Sequence, residues 1–168
     1  MKTTIRNIIF ASALIAFCFC NAQKASDYKR KAEQGDASSQ MLLGICFKDG
    51  KGTTQDYQQA VYWFEKAAKQ GLSEAQVLLG DCYRYGTGVE KDSLKAYQLY
   101  ETAVMCGASM ALDAMGDSYY YGIGVERDVI RARHYYMRAM QRGFKKSKAK
   151  YEKIRNASQD GEILDFNS

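Results

Sequence analysis

The sequence predicts an all-α fold, an α-solenoid of about three stacked helical hairpins with a capping helix at each end. Three observations lead to this prediction. Glycines recur with a spacing of 36 residues, apolar residues between them recur at steps of three and four, and the 168 residues include 14 glycines but no proline. The glycine registers are Gly35, Gly71, Gly107 and Gly143; Gly44, Gly80 and Gly116; Gly50, Gly86 and Gly122; and Gly52, Gly88 and Gly124.

The N-terminal residues have the features of an export signal that resembles bacterial ones. Lys2 and Arg6 give a positive start, residues 8–20 are apolar except for Ser12, and small residues precede a cleavage point after Ala22. The apolar run is too short for a membrane span. We therefore expect an exported chain, periplasmic or secreted, with residues 1–22 removed; the alternative is an uncleaved or lipidated anchor.

In the middle unit, a first helix is predicted over Ser73–Tyr85, where apolar residues recur at helical spacing. Residues 73–76 have the composition of a capping box, and Gly86 is expected to end the helix. Asp92 is predicted to cap a second helix that ends at Gly107. Gly80 and Ala96 carry almost no side chain, which predicts a close approach of the two helices.

The repeat spacing divides the rest of the chain into units. Glu152 occupies the register of the helical glycines, so we expect no second helix to lie against that position of the last helix. Terminal units of a solenoid differ in this way because they cap the array. The predicted segments are residues 25–36 (partial N-terminal helix), 37–71, 72–107 and 108–143 (three repeats), 144–157 (C-terminal capping helix) and 158–168 (polar, disordered tail).

Three cysteines remain once the export signal is set aside: Cys46, Cys82 and Cys106. An exported protein meets oxidising conditions, but three is an odd number for a disulfide framework. Stacking would hold Cys46 and Cys82 about 8 to 10 Å apart, beyond disulfide reach. We expect small buried apolar residues rather than disulfides.

The repeats resemble the Sel-one-like repeat (SLR) family, a relative of the tetratricopeptide repeats. The resemblance is carried by the second unit, AQVLLGDCYRYGTGVEKDSLKAYQLYETAVMCG, and by the third, ALDAMGDSYYYGIGVERDVIRARHYYMRAMQRG. The first unit departs from the pattern with Phe47 in place of tyrosine and Thr53 in place of valine. The resemblance implies a helical scaffold that binds proteins or peptides, with no implied catalysis and no cofactor.

If the resemblance extends to the geometry of tetratricopeptide repeats, a concave groove is lined by residues of the first helices. Tyrosine and arginine often anchor interfaces. The alternative is that Tyr85 and Tyr121 merely cover helix ends while the acidic residues solvate the surface. The candidate groove residues are Met41, Ile45 and Lys48, then Val77, Asp81, Arg84 and Tyr85, then Asp113, Asp117, Tyr120 and Tyr121.

Positive charge is concentrated towards the C-terminus. The formal net charge of the chain is +5, and residues 127–155 carry 11 basic residues against Asp128 and Glu152. A basic end could meet an acidic partner, anionic headgroups or a polyanion, and export argues against nucleic acid as the physiological partner. A solvated capping face is the alternative.

Evidence for catalysis is weak in this sequence. His134 is the only histidine, which excludes a histidine-rich metal site, and we interpret it as a surface residue. Some secreted cysteine-rich members of the SLR family have been described as β-lactamases or penicillin-binding proteins. The serine–x–x–lysine pattern of such enzymes occurs at residues 26–29 and 147–150, without the companion S-D-N or K-T-G.

We therefore expect a non-enzymatic binding protein, with no metal site. A cell-envelope enzyme or a peptidoglycan-binding protein is the alternative. Asp81 and Asp117 lie at the same register of successive units. We interpret them as groove electrostatics before general acid and base.

Overall fold

The computed structural model of the chain describes residues 22–159, and every regular element in that range is an α-helix. The predicted all-α solenoid of helical hairpins is confirmed. The predicted export signal lies outside the described residues, apart from Ala22. The helices are α1 (22–33), α2 (Ala37–Asp49), α3 (Tyr57–Lys69), α4 (Ser73–Tyr85), α5 (Ser93–Met105), α6 (Ser109–Tyr121), α7 (Val129–Gln141) and α8 (Lys146–Gln159).

The described residues divide into two compact units, the first ending at Gln70 and the second beginning at Gly71. In the first, α2 and α3 form a hairpin, and the core joins Leu43 and Trp63 to Ala32 of α1. In the second, α4–α5 and α6–α7 form two hairpins, and α8 packs on α7. Within the described residues, none of the helices is both long and apolar enough to cross a bilayer.

An aspartate is the N-cap residue of the second helix in each of the three hairpins. The carboxylate of Asp92 accepts a hydrogen bond from the backbone N–H of Lys95 at 2.9 Å, as predicted, and Asp56 and Asp128 cap α3 and α7 in the same way. These side chains satisfy backbone donors that the first turn of a helix leaves free. The recurrence of aspartate with the 36-residue spacing therefore has a local structural cause.

The predicted capping box at the start of α4 is wrong. The residue before the helix is Leu72, which offers no side-chain acceptor, and the Ser73 hydroxyl instead lies 3.2 Å from the carboxylate of Glu74. Ser73 is already inside the helix, so its side chain cannot cap the first turn. The end of the helix agrees with the prediction, since Gly86 has a left-handed backbone with φ of 70°.

Glycine is required in the turn that follows α6. Gly124 has φ of 70°, and a Cβ atom at this position would overlap the backbone carbonyl of Ser93. Both the backbone conformation and the close approach exclude other residues.

An aromatic ring of the second helix lies against the helical glycine of the first helix in each hairpin. A Cβ atom on Gly44 would be 2.6 Å from the ring of Phe64, and one on Gly80 would be 2.5 Å from the ring of Tyr100. The ring of Tyr136 covers Gly116 in the same way. The small size of these glycines thus makes room for an aromatic ring of the second helix.

Helix α8 packs on α7 in the second unit. Ile154 is buried and Tyr151 is half-buried, while Glu152 forms a 3.9 Å ion pair with Lys148. The helix continues to Gln159, two residues into the segment predicted to be a disordered tail. The remaining residues of that segment lie outside the described range.

The three cysteines differ in exposure. Cys46 and Cys82 are buried, as expected, whereas Cys106 is exposed and the expectation for it is wrong. Cys106 follows the last residue of α5, where the chain leaves the core. None of the three is in a disulfide within the described part of the chain.

Candidate binding surface

An acidic residue follows the helical glycine of α4 and meets a tyrosine hydroxyl. Tyr100, whose ring covers Gly80, donates a hydrogen bond of 2.7 Å from its Oη to Oδ1 of Asp81. Tyr100 is fully buried, so its ring is fixed by packing at one end and by the carboxylate at the other.

The third repeat has the same pair of a tyrosine and an aspartate, whereas the first repeat has neither residue. Tyr136 donates a hydrogen bond of 2.7 Å to Oδ1 of Asp117. At the same registers, the first repeat has Phe64 and Ile45. Hydroxyl and carboxylate therefore occur together or not at all, as expected because a buried hydroxyl without an acceptor is destabilising.

Asp117 is the centre of a polar network that joins four helices of the second unit. Besides the Tyr136 hydroxyl of α7, it accepts from Nη1 of Arg84 of α4 at 3.0 Å and from Nζ of Lys150 of α8 at 2.6 Å. The side chains of Arg84 and Asp117 are each only 14% exposed. Charged hydrogen bonds of this kind are shorter and stronger than neutral ones.

A second carboxylate extends the network towards α8. Asp113 accepts hydrogen bonds from Nζ of Lys150 at 2.8 Å and from Oγ of Ser147 at 2.7 Å. Lys150 therefore bridges both acids of α6, and Ser147 is fully buried. The second serine–x–x–lysine pattern thus has a structural explanation: its hydroxyl faces a carboxylate and is closed to solvent.

The network holds its members in fixed charge states. Burial acts to raise the pKa of Asp117, but hydrogen bonds from Lys150, Tyr136 and Arg84 outweigh it and lower the pKa below its usual 3.8. Burial acts to lower the pKa of Lys150, but its bonds to Asp113 and Asp117 raise it above 10.5. Asp117 stays ionised and Lys150 protonated at neutral pH, which disfavours both as general acids or bases.

Two tyrosines beside this network are open to solvent. Tyr85 is 65% exposed and Tyr121 is 62% exposed. The guanidinium of Arg84 lies 5.0 Å from the centre of the Tyr85 ring, and the half-buried Tyr120 meets Tyr121 edge-on at 4.8 Å. Tyr85 is the last residue of α4, and Tyr121 is the last residue of α6. We call this surface the first-helix face; it consists of Asp81, Arg84, Tyr85, Asp113, Asp117, Tyr120 and Tyr121.

One predicted groove residue of the second unit does not belong to this face. Val77 is only 2% exposed and lies in the core, so it is not available to a ligand. Met41, Ile45 and Lys48 are half-buried residues of α2, in the first unit.

The structural roles of Ser147 and Lys150 were not predicted from the sequence. A signal was present, because the register that holds Lys150 is occupied by Leu42, Leu78 and Ala114 in the three repeats. A lysine at a position that is otherwise apolar indicates a specific acidic partner.

The described residues contain no group of three or more histidine, cysteine, aspartate or glutamate side chains suited to a metal ion. His134 is exposed on α7, where the sequence analysis placed a surface residue.

Comparison with known proteins gives a family and several related structures. The family model described as Sel1 repeat matches residues 37–72, 73–107 and 109–144. No curated protein matches the chain.

Three similar solved structures are helical repeat proteins of bacteria. One is a protective antigen present in uropathogenic Escherichia coli strains that displays an SLR fold, with 40% identity, a TM-score of 0.66 and coverage of 69% of this chain and 25% of that chain. Another is a Sel1 repeat protein from Oxalobacter formigenes, with 34% identity, a TM-score of 0.73 and coverage of 79% and 54%.

The third is Helicobacter pylori cysteine rich protein B, with 25% identity, a TM-score of 0.55 and coverage of 70% and 89%. The chain thus spans about a quarter of the first of these structures and about half of the second.

Proposed function

The chain belongs to the Sel1 repeat family, whose members are typically protein-interaction scaffolds, and we propose that it binds a partner protein or peptide through the first-helix face without catalysing a reaction. The observation that carries this proposal is the pair of exposed tyrosines, Tyr85 and Tyr121, at equivalent ends of α4 and α6. Exposed aromatic residues next to arginine are common anchors of protein interfaces.

The polar network supports this function because it fixes the surface before a partner arrives. Arg84 and Asp117 tie α4 to α6, and Lys150 ties α6 to α8. A face whose helices are already held in place loses less conformational freedom on binding. In this proposal the acids and Arg84 position the face, and the tyrosine rings make the contacts.

Photocrosslinking tests the proposal at single positions. A photoreactive phenylalanine analogue is placed at Tyr85 or Tyr121, and at Tyr62 of α3 as a matched control, since Tyr62 is also an exposed tyrosine. Irradiation in cell extract should give the same adduct at Tyr85 and Tyr121 and none at Tyr62. Equal labelling at all three positions, or none at the first two, would contradict the proposal.

We also propose that the chain is exported, to the periplasm or outside the cell, with cleavage after Ala22. The support is the arrangement of Lys2, Arg6 and the apolar residues 8–20 in the sequence. The intact mass of protein from the producing cells provides the test. A mass that starts at Gln23 agrees with the proposal, and one that includes Met1 or a lipid contradicts it.

An acidic partner at the basic end, residues 127–155, is a further part of the proposed function. Its support is the excess of 11 basic over 2 acidic residues in that segment. Opposite charge speeds association and favours the correct partner. This proposal concerns α7 and α8 and is independent of the tyrosines of the first-helix face.

A further inference from the structure

An open groove of about 860 Å³ lies along α7. Its walls include Tyr119 of α6 and Tyr151 of α8, and α7 supplies the remaining residues. No residue of the first-helix face lines it. The groove is thus a second surface of the same unit.

Positive charge dominates this groove. Arg131, Arg133 and Arg138 line it, together with His134, and the described residues that line it include no acid. Arg131 forms an ion pair of 3.1 Å with Asp128. Asp128 is the N-cap residue of α7 and does not line the groove. The result is a basic surface that favours an anionic partner.

Aromatic rings support two of the arginines. The guanidinium of Arg131 lies 5.6 Å from the centre of the Tyr119 ring, and that of Arg138 lies 5.8 Å from the Tyr135 ring. The two rings are stacked on each other, with centres 5.5 Å apart. Contacts of this kind restrict the arginine side chains before binding.

Apolar side chains lie between the arginines. Ile130 is 71% exposed, and Met137, seven residues further along α7, is half-buried. Residues seven apart lie on the same side of an α-helix, two turns from each other. With about 100° between successive residues, Arg133 falls on one flank of this apolar line and Arg138 on the other.

We propose that this groove binds an acidic amphipathic helix of a partner protein, with its apolar side on Ile130 and Met137 and its carboxylates on Arg133 and Arg138. The inference rests on the proposed acidic partner and adds that the bound part of this partner is an amphipathic helix. Amphipathic helices dock apolar residues spaced three, four and seven apart into grooves of this kind. A polyanion without apolar groups would leave Ile130 and Met137 without a partner, which favours a protein helix.

A synthetic peptide tests the proposal directly. The probe is a fluorescein-labelled helical peptide, fixed by a side-chain lactam because short helices are unstable alone, with leucines on one side and glutamates on both flanks. The controls are a peptide of the same composition in scrambled order and polyglutamate. Fluorescence anisotropy with the full chain measures the dissociation constants at two salt concentrations.

Two double variants remove the proposed contacts separately. Arg133→Glu with Arg138→Glu reverses the charges, and Ile130→Ser with Met137→Ser removes the apolar line. Lys145→Glu with Lys146→Glu makes the same change of net charge at exposed residues of the 145–146 segment that do not line the groove. Circular dichroism checks that each variant keeps its helical content.

We expect each groove variant to weaken binding by at least about tenfold, and the Lys145 and Lys146 variant to change it by less than about twofold. Higher salt should weaken binding of the wild type. Absence of binding, equal binding of the scrambled peptide or of polyglutamate, or an equal effect of the control variant would each overturn the proposal. Tyr121→Ala should leave this binding unchanged, which separates this groove from the first-helix face.

Discussion

The hydroxyl of Tyr136 donates a hydrogen bond of 2.7 Å to Asp117, the residue next to the glycine that the same tyrosine ring covers. The side chain of Tyr136 thus fills the space above Gly116 and also donates a hydrogen bond to Asp117, the next residue along the chain. The carboxylate then has only its remaining lone pairs for Arg84 and Lys150. The shape of the hairpin and the charge arrangement of the first-helix face are therefore set by the same contact.

Replacing this tyrosine tests the contact. Tyr136→Phe keeps the ring against Gly116 and removes one donor from Asp117, so we expect the free energy of unfolding to fall by about 1 to 2 kcal/mol. Urea denaturation of the full chain measures the change. The converse variant, Phe64→Tyr, should also destabilise, because the residue at the acceptor register of that repeat is Ile45; a stabilised Phe64→Tyr would contradict this explanation.

The helical glycines should not tolerate even alanine. In Gly80→Ala the added Cβ would overlap the ring of Tyr100, which is fully buried. We expect a loss of about 1 to 3 kcal/mol, although alanine is the better helix former. Gly80→Ala combined with Tyr100→Leu provides the control: removing the ring should make the alanine less harmful, and strictly additive effects would argue against the overlap.

Stability should fall at acid pH through Asp117. Its pKa is lowered in the folded state, so its stabilising contribution is present above the unfolded pKa and is lost as the pH falls through the folded value. The urea midpoint should therefore decrease below about pH 4. Asp117→Asn should reduce this dependence and lower stability at pH 7; an unchanged slope would assign the acid sensitivity to other carboxylates.

Lys150 should make stability fall at alkaline pH. Its pKa is raised in the folded state, so its contribution is present below the unfolded pKa and is lost as the pH rises through the folded value. We expect Lys150→Met to lower stability at pH 7 because Asp113 and Asp117 lose a shared cation. The variant should also remove the part of the alkaline decrease that is due to Lys150, which begins near the unfolded pKa of about 10.4 and continues above it, as measured by urea midpoints from about pH 10 upwards.

A missing hydrogen bond in the second repeat can be supplied. Gln40 Oε1 accepts from Gln70 Nε2 at 2.7 Å, whereas the equivalent atom of Gln76 is buried and has no partner among the described residues. The residue at the register of Gln70 is Cys106. Cys106→Gln should therefore raise the free energy of unfolding by about 0.5 to 1.5 kcal/mol.

The matched control for this variant is Cys106→Glu, which has nearly the same shape but cannot donate a hydrogen bond when ionised. Thermal unfolding of both variants distinguishes the bond from a simple gain in packing. A similar rise for glutamate would show that the amide group is not responsible.

Hydrolysis of a β-lactam is the measurement that addresses the enzymatic alternative. Ser147 is fully buried and donates to Asp113, while the exposed Ser26 donates to the backbone carbonyl of Gln23. We expect purified protein to leave nitrocefin intact. Turnover that disappears in a Ser26→Ala, Ser147→Ala double variant would establish the alternative.

The sequence predicts the hairpins well because their ends are decided locally. Asp92 caps α5 and Gly86 ends α4 through contacts within a few residues, and the 36-residue spacing carries these features to the other repeats. The bounds Ser73–Tyr85 predicted for α4 agree with the structure, but its N-terminal cap was not predicted correctly. The N-cap residue is Leu72, one position before Ser73, and a pattern of residue types does not locate a cap to within one residue.

The contacts of the first-helix face were only partly predictable. The spacing placed Asp117 and Tyr121 on the first helix, but the partners of Asp117 come from three other helices, and Lys150 is 33 residues away in the chain. Such contacts depend on how helices pack, which a one-dimensional pattern does not contain. The joint occurrence of Asp81 with Tyr100 and of Ile45 with Phe64 was nevertheless visible in the sequence.

The side chain of Glu152 has a consequence for protein engineering. It stands in α8 where α4 and α6 have the glycines that an aromatic ring covers, so α8 cannot receive a following helix in the way that they do. An extra hairpin attached behind α8 would fail unless Glu152 were first changed to glycine. A duplicate of residues 73–108 inserted before Ser109 would meet matching registers on both sides, so longer versions of this protein should be made by internal duplication.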